Sequence, residues 1–168
     1  MIIYGILLVI ATQLTPVFSG CAIQPDANGH VDIPSSWVSI GKEAFYECTS
    51  LRNVSIPDSI TSIGEEAFYG CWRLELVSIP DSVTTIRADA FQYCSGLKSL
   101  NIPDSVTKIH QGAFKWNYRL KRLTLGKSVE RIEEYSFMAC SLTSLYVPPN
   151  VQYIGGSAFL GNTLQTVE

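Results

Sequence analysis

The sequence has little of what enzymes use for acid–base and phosphate chemistry. Histidine occurs only twice, as His30 and His110. No Gly-rich phosphate loop and no nucleophile motif is present. These absences argue against catalysis, so no catalytic residue, cofactor or metal ligand is assigned. Basic residues are also few: 12 Lys and Arg against 15 Asp and Glu leave a formal net charge of -3. That balance gives no electrostatic footprint for nucleic acid or for an anionic membrane surface. Charge is missing altogether from the first 22 residues, MIIYGILLVIATQLTPVFSGCA, which are apolar from Ile2 to Ala11 and then polar, with small residues at the end.

That opening stretch reads as a secretory signal over residues 1–22, although the Lys or Arg usual before the apolar run is missing. Val17 and Ser19 suit cleavage after Ser19, and Gly20 with Ala22 suits cleavage after Ala22. An uncleaved anchor and a buried element are the alternatives. FSGC, residues 18–21, also resembles the end of a lipobox, in which Cys21 would carry lipid, but Phe18 stands where Leu is usual. No apolar tail at the other end suggests a second span or a glycolipid anchor.

The rest of the chain, 23–168, is organised by a repeat. Phenylalanines fall at 45, 68, 91, 114, 137 and 159, a period of 23 with a last step of 22. A fixed period of this length marks a solenoid, whose units bury their apolar faces only by stacking on one another. Within a unit, LRNVSIP (residues 51–57) alternates as a strand does, with Leu51, Val54 and Ile56 inward and Pro57 ending it. Its copies are LELVSIP, LKSLNIP, LKRLTLG and LTSLYVP. Stacked in register, these strands form a parallel sheet with ~4.8 Å between coils. Asp58 and Ser59 suit a tight turn, and Ile60 and Ile63 return to the core. Glu65 and Glu66 favour the start of a short helical turn. Ala67 allows close approach, and the phenylalanines form a continuous aromatic spine.

Five cysteines in a secreted chain suggest disulfides, yet Cys48, Cys71, Cys94 and Cys140 share one column with Asn117 and Asn162. A position taking Cys or Asn is read as a buried site that packs a small side chain or donates to a backbone carbonyl. Disulfides between neighbouring coils are the alternative, while a straight column does not surround a zinc ion. Cys21 lies outside the column and is expected to leave with the signal or to remain a free thiol.

With strand, proline, Ile-Gly, Ala-Phe and Cys recurring at fixed offsets, the unit LRNVSIPDSITSIGEEAFYGC resembles the BspA-like, or Treponema-type, 23-residue leucine-rich repeat. NGHVDIPSSWVSIGKEAF, residues 28–45, resembles the family's first unit. The resemblance implies a leucine-rich repeat solenoid of about six units: a curved right-handed coil with a parallel β-sheet on one face and short helical or irregular turns on the other. It also implies display outside the cell and a role in adhesion or protein recognition. Departures from the pattern are Trp116-Asn117, Leu125-Gly126 and Ser136, so the fourth and fifth units are expected to be locally irregular. Arg87, His110 and Glu133 stand in the column of Gly41, Gly64 and Gly155, which therefore does not demand glycine. The sequence stops at LQTVE, inside a strand motif, so truncation and end-to-end self-association through the last coil are both open.

Function is sought on the outward side of the strands. Arg52, Asn53, Ser55, Ser78, Lys98, Ser99, Asn101, Lys121, Arg122, Thr124 and Tyr146 are the candidate ligand-binding residues, a mostly small and polar surface with a basic cluster at Lys98, Lys121 and Arg122. The expected partner is a protein or a cell-surface glycan. A structural matrix component, or an intracellular scaffold if the N-terminus is not a signal, is the alternative. Asp58, Asp81 and Asp104 form an acidic column that turn chemistry explains better than calcium. Asn53-Val54-Ser55 matches an N-glycosylation sequon, on a strand rather than a loop.

Overall fold

A 23-residue unit can close on itself only if every coil finds hydrogen-bond partners in the next one. In the computed structural model, which describes residues 20–168, two short strands per coil do this. They are β1 (His30–Asp32) and β2 (Ser39–Ile40), β3 (Asn53–Ser55) and β4 (Ser62–Ile63), β5 (Leu76–Val77) and β6 (Thr85–Ile86), β7 (Ser99–Asn101) and β8 (Lys108–Ile109), β9 (Arg122–Thr124) and β10 (Arg131–Ile132), β11 (Ser144–Leu145) and β12 (Tyr153–Ile154), and a last β13 (Thr166–Val167). All pairings are parallel and keep the sequence period: His30 faces Asn53, Asn53 faces Leu76, and Arg131 faces Tyr153 across the short step. The result is a parallel β-solenoid of about six turns.

Two expectations are corrected. The dipeptides ending in isoleucine that follow the first strand of each coil form a second sheet, β2-β4-β6-β8-β10-β12, and it is this sheet that runs unbroken. The expected strand face is divided into β1-β3-β5, β7-β9 and β11-β13. Its second break falls where the chain drops one residue, with Cys140 two residues before Leu142 where Asn117 stands three before Leu120. Nothing in the sequence explains the break between β5 and β7.

The expected helical turns are absent too; no helix occurs among the described residues. Each coil instead places two left-handed residues around its phenylalanine, at the second position before and the second after. Glu66 (φ 54) and Gly70 (φ 69) flank Phe68, and Asp89 (φ 54) and Tyr93 (φ 61) flank Phe91. Two such residues four apart interrupt any right-handed helix. They also turn alternate N–H groups along the solenoid axis, so that Glu66, Phe68 and Gly70 donate to the carbonyls of Ala88, Ala90 and Gln92 at 3.1, 2.7 and 2.8 Å. A left-handed conformation costs ~1–2 kcal/mol at a non-glycine residue. The intercoil hydrogen bonds, which pair the backbone N–H groups of Glu66, Phe68 and Gly70 with the next coil, offset that cost.

The core is the predicted spine. Phe45, Phe68, Phe91, Phe114 and Phe137 are fully buried. Successive rings, Phe159 included, stack at 4.9–5.4 Å between centroids and within 8° of parallel. The spine passes through the fourth and fifth units without interruption, so irregularity there is confined to the break on the strand face.

The cysteine column behaves as its Cys/Asn alternation suggests, except at its first member. Cys71 Sγ donates to the Phe45 carbonyl and Cys94 Sγ to that of Phe68, both at 3.0 Å, and Cys140 Sγ reaches the Phe114 carbonyl at 3.3 Å. Asn117 Nδ2 donates to the carbonyls of Phe91 and Phe114 at 2.9 and 2.7 Å, and Asn162 Nδ2 to that of Phe137 at 2.8 Å. Cys71, Cys94 and Cys140 are free thiols, so no bridge joins one member of the column to another. Burial pushes the Cys140 thiol up to about 12 and that of Cys94 well above its ordinary value, which suppresses the reactive thiolate. We expect a thiol reagent to label none of the three in the native protein and all three in denaturant. We also expect Asn117→Cys to change stability by no more than ~1 kcal/mol and Asn117→Leu, which strands two carbonyls, to cost ~2 kcal/mol or more in urea unfolding.

Cys48 is the exception, and the expectation for Cys21 is corrected with it. Cys21 forms a disulfide with Cys48, 27 residues away, with Cα atoms 5.1 Å apart. Gly20, Cys21 and Ala22, assigned to the leader from sequence, lie one period below Glu43, Ala44 and Phe45. They dock as a partial coil: Gly20 has φ 66, and the Ala22 N–H donates to Ala44 at 2.7 Å. Residues 1–19 of the expected signal fall outside the described residues.

Candidate functional site

The eleven candidate residues all lie along the strand face, where alternation sends Val31, Val54, Val77, Leu100 and Leu145 into the core and their neighbours outward. Asn53 and Ser99 are half-buried, the first in a strand paired on both sides and the second in a strand paired on one; the other nine are exposed. Tyr146 and Leu76, 61% and 60% accessible, are the large apolar side chains this face presents.

Charge is distributed unevenly along it. Glu75 accepts from Arg52 Nη1 at 3.2 Å and pairs with Lys98 Nζ at 3.5 Å, which largely neutralises the first half of the face. Beyond it, Lys98, Lys121 and Arg122 lie together with Arg119. The four line a cleft of about 380 Å³. Arg119, Lys121 and Arg122 have no carboxylate within ion-pair distance among the described residues, whereas Lys42, Lys108, Lys127 and Arg131 each have one. Sequence reasoning missed Arg119 because it precedes the strand, in the corner position of Arg73 and Gly96. Its spacing from Arg122 was the available signal.

At the other end, His30, Ser55 and Asp32 come together in a way that superficially suggests a hydrolase. Ser55 Oγ and Asp32 Oδ1 both lie 3.1 Å from the same ring nitrogen, Nε2 of His30. A catalytic triad needs the two ring nitrogens in relay, one toward the hydroxyl and the other toward the carboxylate. Here the hydroxyl and the carboxylate compete for one nitrogen, and the trio holds the start of the sheet. Hydrogen bonds from His30 and Ser55 lower the Asp32 pKa below the ordinary carboxylate value.

No metal site is assembled from the acidic column. Asp104 accepts from the Lys127 backbone N–H at 2.8 Å and pairs with its Nζ at 3.1 Å, a contact that locks one turn onto the next. Among the described residues no group of three His, Cys, Asp or Glu side chains is placed to hold a metal ion. Nor is any helix there long and apolar enough to cross a membrane. Asn53 of the sequon sits in the central strand of β1-β3-β5, paired on both sides.

The profile of the BspA type Leucine rich repeat region matches residues 17–140 in six copies. A leucine-rich cell surface protein from Faecalibacterium prausnitzii is 40% identical, with a TM-score of 0.77 over 82% of this chain and 38% of its own. A leucine-rich repeat protein from Bacteroides ovatus is 30% identical, with a TM-score of 0.63 over 83% of this chain and 45% of its own. The T. pallidum leucine-rich repeat protein is 29% identical, with a TM-score of 0.61 over 83% of this chain and 58% of its own. The chain thus spans less than two thirds of each of these structures. No functionally curated protein is significantly similar to it. With its 23-residue register, phenylalanine spine and six matching copies, the chain belongs to the BspA-type leucine-rich repeat family.

Proposed function

We propose that the chain is a recognition module displayed outside the cytoplasm, binding protein or glycan partners through the strand face, with the cleft of Lys98, Arg119, Lys121 and Arg122 as its anchor for an anionic group. The observation that carries this reading is the concentration of four cations, three of them without an ion-pair partner among the described residues, in one cleft of a chain whose net charge is -3. Guanidinium and ammonium groups with no internal partner gain most from an external carboxylate or sulfate. Display outside the cytoplasm is supported by the Cys21–Cys48 disulfide, which persists in oxidising compartments and weighs against an intracellular scaffold. It is supported as well by the relative from Faecalibacterium prausnitzii, a cell surface protein. Export by a leader ending at Ser19 fits this reading, since cleavage after Ala22 would discard Cys21. Lipidation of Cys21 does not, because its sulfur is already bonded.

Heparin and poly-glutamate, immobilised separately, test the anchor. The wild-type protein is expected to bind at least one of them at ~0.15 M salt, more weakly as salt is raised. The variant K98Q/R119Q/K121Q/R122Q should bind about tenfold or more weakly, with an unchanged circular dichroism spectrum. Equal retention of wild type and variant removes the cleft from the binding surface.

A further inference from the structure

A second surface, on the phenylalanine-turn side of the coils, carries side chains that the solenoid does not need. The repeat acts as an internal control. The fourth position after each phenylalanine is Thr49, Trp72, Ser95, Tyr118, Ser141 and Thr163. Small hydroxyl residues suffice for the fold in four coils, yet the second and fourth hold aromatics that are 53% and 55% exposed. Large aromatic surface left in water twice in one column, where a serine or threonine builds the same coil, points to a ligand rather than to packing.

Trp72 borders a cleft, and Tyr118 stands further along the same column, outside the lining of that cleft. Trp72 and Tyr118 are two coils apart, about 10 Å along the axis at ordinary strand spacing. Ser95 lies between them, and around it opens a cleft of about 250 Å³ lined by Glu47, Tyr69, Gly70, Trp72, Tyr93 and Ser95. Which ring faces are open decides what fits. Tyr69 is stacked on Tyr46 at 4.9 Å and meets Tyr93 edge-on at 5.6 Å. Tyr93 is stacked on Trp116 at 4.3 Å, and Lys115 Nζ sits 3.9 Å from the Trp116 ring centroid. Those faces are taken. Trp72 and Tyr118 stack on no other ring among the described residues, so theirs are available.

This geometry argues against two ligand classes. A quaternary ammonium group requires several open aromatic faces around one point, and the faces of Tyr69 and Tyr93 are covered. A nucleotide or other polyanion would meet the negative field of Glu43, Glu47, Glu66 and Asp89, which also act on the phenols of Tyr46 and Tyr69. What remains is a flat, uncharged ring with an apolar C–H face and a rim of hydroxyls. It can stack on an indole while its rim bonds to a carboxylate, a serine hydroxyl and phenols.

We propose that the cleft beside Trp72 and Ser95 binds a neutral hexopyranose glycan, stacked on Trp72 and extending along the column to Tyr118, with Glu47, Ser95 and the hydroxyls of Tyr69 and Tyr93 as hydrogen-bonding partners. The site is separate from the cationic cleft of the strand face and does not depend on it.

The repeat supplies substitutions that keep the fold, W72T and Y118S. Hexaoses of β1,4-linked glucose, α1,4-linked glucose and β1,4-linked N-acetylglucosamine are titrated into the full chain by calorimetry, with tryptophan fluorescence in parallel. We expect at least one to bind. The binding should weaken tenfold or more in W72T and at least severalfold in Y118S, with the thermal midpoint of both variants unchanged. It should be unaltered in K98Q/R119Q/K121Q/R122Q, which keeps this result independent of the strand-face reading. The proposal is overturned if none of the three hexaoses binds at millimolar concentration, if W72T binds as tightly as wild type, or if the strand-face variant alone abolishes binding.

Discussion

Phe91→Ala should lower the stability of the solenoid by about 3–5 kcal/mol, more than truncation of the half-buried Phe159 at the end of the stack. Phe91 lies between two rings, Phe68 at 4.9 Å and Phe114 at 5.3 Å, and is fully buried. Its removal costs the transfer free energy of a benzyl group and leaves a void that neither neighbour can fill. Both are fixed in register by the hydrogen bonds that flank them, from Phe68 N–H to Ala90 at 2.7 Å and from Phe91 N–H to Ala113 at 2.8 Å. Phe159 stacks on a ring on one side only, on Phe137 at 5.4 Å. Urea unfolding of the two variants beside wild type checks the contrast. A Phe91→Ala protein no less stable than Phe159→Ala would mean that the spine is filled by relaxation of the coils and does not dominate the core. Because each repeat contacts only its neighbours, hydrogen exchange in Phe91→Ala should rise most in the second to fourth coils.

The period of 23 made the spine and the stacking register legible, since only a solenoid gives phenylalanines at 45, 68, 91, 114 and 137 a common environment. The Cys/Asn column was legible for a similar reason. Cysteine and asparagine share the ability to donate one hydrogen bond from a small buried side chain, and Asn117 and Cys94 do so to equivalent carbonyls. The second sheet was hidden because strands of two residues, such as Ser62–Ile63, are too short to show alternation. The left-handed pairs were signalled only by scattered glycines, Gly70, Gly112 and Gly161, whose columns elsewhere hold Glu, Asp, Tyr, Trp, Ala or Ser. Their conformation is imposed by the intercoil hydrogen bonds rather than by local preference. On the strand face, alternation fixed which residues point outward, but not which cations keep a partner. Arg52 and Lys98 meet Glu75, while Arg119, Lys121 and Arg122 have no such neighbour, and this depends on the lateral position of long side chains in adjacent coils. Trp72 and Tyr118 were visible as letters in a column of Ser and Thr. That they stack on no other ring among the described residues, unlike Tyr69 and Tyr93, depends on side-chain placement that the letters do not carry.

Reduction of the Cys21–Cys48 bond, or Cys21→Ser, should cost about 3–4 kcal/mol by the loop-closure relation for a 27-residue separation, with the loss concentrated at the start of the solenoid. Elsewhere in the column the sulfur or amide donates to the phenylalanine carbonyl of the coil before it. Cys48 makes no such contact: its sulfur is bonded to Cys21, next to Ala22, which occupies the spine position one period below Phe45. The covalent bond takes the place of that contact, and Cys21 and Cys48 are both buried by it. Without it, the partial coil Gly20–Ala22 is tied to the first coil by the hydrogen bond from Ala22 to Ala44, and release of these residues would uncover one face of Phe45. Amide exchange should therefore accelerate in the first coil, around Phe45 to Leu51, while the third to fifth coils keep their protection. Unreduced intact mass should show one disulfide, with Cys21 and Cys48 resistant to alkylation in denaturant until a reductant is added. If Cys21→Ser melts with the wild-type midpoint and exchange in the first coil is unchanged, the partial coil contributes no closure to the stack, and the support that the disulfide lends to an oxidising location falls with it.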